Sequence, residues 1–236
     1  MEPTPTLSTR LWLVRHAQTD WNRDGRIQGH TPTDLNDAGR AEAMELAAFF
    51  ATRRFAAFVS SDLPRAKTTA TLIAERHGAD VLTDVRLRER SFGPWEGQTM
   101  AAVREARRQI PGVDPLGNDL AAWSDVPGVE PDAEVNARMI AALRDISARW
   151  PEGDVLIVTH GGVLSRLIFE TLGIPRHHPR HFPLANGITA VFTWKESALR
   201  LASLMDVNLV VNGVVSRDTA TVSELGLVRE MRGLVC

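Results

Sequence analysis

The 236-residue chain predicts an α/β fold, a three-layer α/β/α sandwich with a mostly parallel central sheet and an inserted helical cap region. Two apolar runs, Leu11 to Val14 and Val155 to Val158, are near-continuous, as strands covered on both faces are. Strand and helix signals alternate around them in a β-α-β-α pattern, which argues for a parallel sheet flanked by helices. Between the two regular halves lies a stretch interrupted by Pro94, Pro111, Pro115, Pro127 and Pro131, which reads as an insertion over one end of the sheet.

The elements follow in order. Leu11–Val14 is the first strand, a polar loop runs from Gln18 to Asp37, and Ala38–Arg54 is an amphipathic helix. Phe55–Ser60 is the next strand, and Pro64–Arg76 a helix with its proline in the first turn, where the missing N–H costs nothing. The insertion occupies about 85–131 and holds a short helix over Thr99–Gln109. Asp132–Trp150 is a helix, Asp154–Thr159 a strand ending in His160-Gly161-Gly162, and Val163–Leu172 a helix. Ile188–Trp194 and Leu199–Met205 complete the sheet, and a C-terminal extension, 209–236, carries a helix-like Thr221–Met231. One domain accommodates this length.

Composition excludes several functions. Hydrophobic content of 44% with a mean hydropathy of -0.13 gives no membrane reading. A net charge of -2 leaves no electrostatic footprint for nucleic acid or anionic lipid. Only Lys67 and Lys195 among the 27 basic residues are lysines, a compositional bias under which most arginines are solvated. Arg104, Arg107 and Arg108 read as one such solvated face, and Trp12, Trp95 and Trp150 as packing residues. The single cysteine, Cys236, excludes an intrachain disulfide and a multi-cysteine zinc site. In His177-His178-Pro179-Arg180-His181 the proline breaks helical ligand spacing, so a metal site is not expected. The N-terminus is too short and polar for a signal peptide, and a cytoplasmic location is expected.

Chemistry-bearing residues cluster at strand ends. Arg15-His16 ends one apolar strand, His160 ends another, and Ser60-Ser61-Asp62-Leu63-Pro64-Arg65 follows a third. In open α/β sheets ligands bind outside the carboxyl ends of the strands, so a parallel sheet brings all three to one edge. Forked guanidinium donors and a helix N-terminus at Gly161 suit a phosphoryl group. A histidine buried among arginines stays neutral and nucleophilic, and its attack on a phosphomonoester gives a phosphohistidine. Glu89 is the candidate general acid, unless Arg88 and Arg90 merely pair with it on the surface. Glu96 is its rival, although Trp95-Glu96-Gly97 reads more as a structural turn.

Four segments carry a resemblance. Leu13 to Asn22 with Arg26-Ile27-Gln28-Gly29, Ser61 to Ala66, Glu89 to Gly97, and Thr159-His160-Gly161-Gly162 resemble the histidine phosphatase superfamily, the phosphoglycerate-mutase-like group, over about Leu11 to Asn208. The resemblance implies His16 as phosphate-accepting nucleophile, Glu89 as proton donor, and Arg15, Arg65 and His160 as the phosphate pocket. It further implies hydrogen bonds to the phosphate from Asn22 and the Gly161 N–H, a substrate-facing Gln28, and no metal or other cofactor. Two departures stand out: Ala17 replaces a usual glycine, and Gly128-Val129-Glu130-Pro131-Asp132 lacks the serine of a frequent Gly-Glu-Ser.

Phe92 to Gln98 and the short insertion are more similar to the phosphatase branch, so hydrolysis of a small phosphorylated metabolite is expected. Phosphoglycerate mutase is the alternative. A phosphate-ester-binding module without turnover is a lesser one, since His16 and Glu89 are both present. Neither nucleic acid nor membrane is expected as a partner, and a homodimer through a sheet edge or the C-terminal tail is compatible with the sequence.

Overall fold

The computed structural model describes residues 8–109, 126–174, 184–195 and 198–205. The elements in chain order are β1 (Thr9–Arg15), α1 (Asp20–Arg23), α2 (Asp37–Phe50), β2 (Ala57–Ser60), α3 (Pro64–Glu75), β3 (Val81–Thr83), α4 (Met100–Arg107), α5 (Asp132–Arg149), β4 (Asp154–Thr159), α6 (Gly161–Thr171), β5 (Thr189–Lys195) and β6 (Ala198–Met205). Short 3-10 turns at Val85–Leu87 and Gly93–Trp95 flank the Glu89 segment.

The six strands form one sheet in the order β3-β2-β4-β1-β5-β6. The pairs β1–β4, β2–β4 and β2–β3 are parallel, while β5 runs antiparallel to β1 and β6 to β5. The period-2 alternation of strand side chains divides the core in two. Leu11, Leu13, Val155 and Ile157 pack with α5 and α6, whereas Trp12, Val14, Leu156 and Val158 pack with α2 and α3. That is the expected three-layer sandwich, with its antiparallel portion confined to the β5–β6 hairpin.

Three local features differ from the sequence reading. The helix after β4 begins at Gly161, two residues earlier than expected, so His160 is its N-cap in an extended conformation. The loop after β1 contains α1, closed by a reciprocal capping box between Thr19 and Asn22. The edge strand β3 went unpredicted because it is three residues long and leaves Leu82 exposed.

Within the expected insertion, Val103, Val126 and Val129 bury against Ile27, with Phe92, Trp95 and Met100 packed around them. The described parts of that stretch, 85–109 and 126–131, therefore share a small apolar cluster, resting on the loop that follows β1. The expected helix Thr221–Met231, the C-terminal extension and the His177–His181 cluster lie outside the described residues.

Candidate active site

Because β2, β4 and β1 lie side by side and parallel, their carboxyl ends deliver Ser61, His160 and Arg15-His16 to one edge. The ladder continues past the strands, with Ser61 N–H donating to Val158 O and His16 N–H to Thr159 O, each at 3.0 Å. The lead-in to antiparallel β5 begins at this edge. There the Leu184 carbonyl accepts from Arg15 Nη1, and Asn186 Nδ2 donates to His16 O at 2.9 Å.

His16 is 3% exposed and His160 fully buried, with ring centroids 5.2 Å apart. His16 Nδ1 lies 2.8 Å from Ala17 O. A carbonyl only accepts, so Nδ1 carries the proton and Nε2 keeps its lone pair. His160 Nε2 lies 2.8 Å from Ser61 Oγ, and no described residue takes its Nδ1. Burial, then Arg65, then Arg15 hold the His16 imidazole well below the ordinary histidine range; burial and Arg65, with His16 itself, do the same to His160. Both rings are therefore neutral near neutral pH. The Ala17 methyl is accommodated without exposure, packed with Leu35 and Ala43.

This burial has a consequence for stability. An unfolded histidine titrates near 6.5, so below that pH the unfolded chain binds protons that the folded one does not, and folding weakens as pH falls. Each of the two imidazoles contributes a slope of up to about 1.4 kcal/mol per pH unit below about pH 6.5. Urea unfolding of wild type and His16→Asn between about pH 7 and about pH 5 should show the variant losing less, by one proton's slope. Parallel curves would mean that His16 is protonated in the fold.

Arg65, in the first turn of α3 behind Pro64, is 1% exposed. It donates from Nη1 to Thr31 O at 3.0 Å and from Nη2 to Gly29 O at 2.7 Å, while no described residue takes its Nε. Burial lowers its pKa to about 10, which leaves it a cation.

Two glycines let charged groups approach the first turn of α6. A Cβ on Gly161 would stand 3.0 Å from Arg15 Nε, and one on Gly162 would stand 2.6 Å from Glu89 Oε1. The Glu89 carboxylate accepts the Gly162 N–H at 2.8 Å and the Arg90 N–H at 2.9 Å. Gly161, as the first helical residue, has no intrahelical acceptor for its own N–H. The flanking arginines are engaged elsewhere: Arg88 pairs with Asp62, and Arg90 pairs with buried Asp132, which also accepts from Arg166. The surface-pair explanation of Glu89 therefore has no support. Gly162→Ala should keep or gain helix propensity, by at most about 1 kcal/mol, yet lower kcat by about 10-fold or more by displacing Glu89. An unchanged kcat in steady-state assays would refute that contact.

Asn22 Oδ1 accepts from Thr19 N–H at 3.1 Å and from Asn186 Nδ2 at 3.4 Å, leaving its amide donor without a described acceptor. Buried Gln28 has a similar arrangement, since Oε1 accepts the Thr19 and Thr33 hydroxyls. Both residues thus keep an N–H2 group to offer. Glu96 is accounted for differently. Burial pushes its pKa up, but the Thr31 hydroxyl and the His30, Phe92 and Thr31 N–H groups outweigh this and keep it ionised. It clamps two loops and has no proton to give. Arg104 and Arg108 are exposed, in line with a solvated face.

Sequence reasoning missed the residues that hold these groups in place: Asn186 on the His16 carbonyl, His30 on the Glu89 carbonyl, and the pair Glu130 and Arg138. Ser61 lay inside a recognised segment, but nothing in that segment indicated that it binds His160. Among the described residues no group of three or more His, Cys, Asp or Glu side chains is placed to hold a metal ion. No described helix is long and apolar enough to cross a membrane.

Comparison with known proteins supplies the family. The model of the histidine phosphatase superfamily, branch 1, matches residues 11–207, and the chain belongs to that superfamily. A glucosyl-3-phosphoglycerate phosphatase of Mycolicibacterium vanbaalenii is 36% identical over 173 residues, covering 70% of this chain and 75% of the relative. A probable phosphoglycerate mutase of Cronobacter sakazakii is 34% identical over 181 residues, covering 75% and 81%. The solved structure of a mycobacterial glucosyl-3-phosphoglycerate phosphatase complexed with VO3 superposes with a TM-score of 0.70 at 32% identity, covering 81% of this chain and 96% of that one.

Proposed function

We propose that this protein is a metal-independent phosphomonoesterase acting on a small phosphorylated metabolite through a phosphohistidine on His16. The observation that carries the reading is a buried, neutral imidazole whose proton is fixed on Nδ1, set among the guanidiniums of Arg15 and Arg65. In the first half-reaction the Nε2 lone pair forms the N–P bond while the ester P–O bond breaks, and Glu89 protonates the departing alkoxide. In the second, the Glu89 carboxylate takes a proton from water as the new O–P bond forms and the N–P bond breaks, releasing inorganic phosphate. Arg15, Arg65, His160, Asn22 and the Gly161 N–H hold the phosphoryl oxygens, and Gln28 offers its amide to the remainder of the substrate.

The chain functions as one domain, with 85–131 as a cap over the sheet edge and 209–236 as an extension. It works in the cytoplasm without nucleic acid or membrane, and a homodimer is compatible with it. Phosphoglycerate mutase chemistry is the second reading, favoured by the mutase named among the relatives, because the same phosphohistidine can return its phosphoryl group to a glycerate instead of water.

The test is phosphate release in EDTA across phosphomonoesters that include glucosyl-3-phosphoglycerate, phosphoserine, sugar phosphates and 3-phosphoglycerate, with formation of 2-phosphoglycerate followed in parallel. Hydrolysis is expected, unaltered by the chelator. A rate restored only by added metal would overturn metal independence. Isomerisation without release would identify a mutase, and inactivity toward every ester, together with tight binding of one, would leave the binding-module reading.

A further inference from the structure

Residues 86–91 run from the end of the first 3-10 turn toward the second, outside the sheet and the α-helices, and carry Glu89. Side chains take the carbonyls of Arg86, Leu87, Arg88 and Glu89. Arg138, on α5, donates from Nη1 to Arg86 O at 2.8 Å and Arg88 O at 2.6 Å, and from Nη2 to Glu89 O at 2.9 Å. The same guanidinium is gripped by Glu130 through Nε to Oε1 at 2.7 Å and Nη2 to Oε2 at 2.9 Å. Glu130 closes the circuit by accepting the Ser91 N–H at Oε2, 3.0 Å, and donating its own N–H to Ser91 O, 2.9 Å. One ion pair, its side chains only 18% and 14% exposed, thus ties the backbone on both sides of Glu89. The Thr159 hydroxyl on Leu87 O and the His30 ring on Glu89 O complete the set.

We infer that Arg138, oriented by Glu130, is the positioning residue that sets Glu89 at the start of α6 for proton transfer. The inference rests on the proposed acid role of Glu89. The planar guanidinium is required because three carbonyls and a carboxylate are met by one rigid fork, which a single ammonium on a flexible stem cannot reproduce. A proton donor displaced by about 1 Å can cost about 10²-fold in rate even when the change lies away from the reacting atoms. The departure at Pro131 fits this arrangement. It is the N-cap of α5 and makes no side-chain cap bond, and the bonds to Arg138 and Ser91 come from its neighbour Glu130.

The test compares wild type, Arg138→Lys, Glu89→Gln and the double variant on an alkyl phosphate, whose leaving group needs a proton, and on p-nitrophenyl phosphate, whose leaving group does not. Lysine keeps the positive charge that faces His160, so loss of charge is not the variable. Arg138→Lys should lower the phosphorylation step on the alkyl ester by about 10²-fold with little change in the rate of the p-nitrophenol burst on the aryl ester, and leave competitive inhibition by vanadate unaltered. The double variant should be no slower than Glu89→Gln alone. Glu130→Gln, which keeps the side-chain shape, should act in the same direction and carries the test if Arg138→Lys does not fold. Equal losses in the phosphorylation step of both esters, or additive losses in the double variant, would overturn the positioning role. If Glu89→Gln itself shows no leaving-group dependence, the acid assignment fails and the inference with it; dependence in Glu89→Gln but not in Arg138→Lys or Glu130→Gln defeats the inference alone.

Discussion

His16→Ala is expected to remove turnover, by on the order of 10⁴-fold or more, in a chain that still folds. No other described group can replace it as nucleophile without rearrangement. His160 is fully buried with Nε2 committed to Ser61, and Ser61 is committed to His160. The fold should survive because His16 contributes one side-chain hydrogen bond, to the adjacent Ala17 carbonyl, worth about 1 kcal/mol. A buried imidazole beside two cations also gains nothing from charge. The measurement is single-turnover hydrolysis with rapid quench, following a labelled phosphoryl group: wild type should form an acid-labile phosphoenzyme and His16→Ala none, with superimposable circular dichroism. Retained turnover in the variant would mean that water attacks phosphorus directly and that His16 serves only in binding.

The sheet was legible in the sequence wherever burial on both faces produced an unbroken apolar run. β1 and β4, with ends that carry Arg15-His16 and His160, were assigned to within a residue or two, and their shared edge followed from parallel pairing alone. Elements too short to show a hydrophobic period were not legible. β3 is three residues long and depends on β2 for its pairing, while α1 is a single turn fixed by Thr19 and Asn22. The same division applies within the site. Reactive groups stand at strand ends, where position carries information, so His16, His160 and Arg65 could be singled out. Arg138 stands within a long amphipathic helix of an arginine-rich chain, where its sequence neighbourhood matches that of the exposed Arg144 and Arg149. Only the tertiary path of residues 86–91 distinguishes it. Glu130 had been noticed merely as part of an altered motif, although it is the residue that anchors Ser91.

Glu89→Gln provides the second large effect, and its pattern matters more than its size. Glutamine retains a carbonyl oxygen for the Gly162 or the Arg90 N–H, so the side chain stays near the α6 start, but it has no proton to transfer. For an alkyl phosphate the departing alkoxide is strongly basic, and loss of general acid catalysis should cost about 10²- to 10⁴-fold in the phosphorylation step. For p-nitrophenyl phosphate the phenolate leaves unaided, and the same step should be close to wild type. The second half-reaction differs, because water must be deprotonated whichever ester supplied the phosphoryl group. With the aryl ester the variant should therefore accumulate phosphoenzyme, giving a burst of p-nitrophenol followed by slow release of phosphate. A burst on the aryl ester combined with slow, burst-free turnover of the alkyl ester assigns both proton transfers to one carboxylate. A variant slowed equally on both esters, with no burst, would move the acid elsewhere; Glu96 could not take the role, because hydrogen bonds from Thr31, His30 and Phe92 keep it ionised.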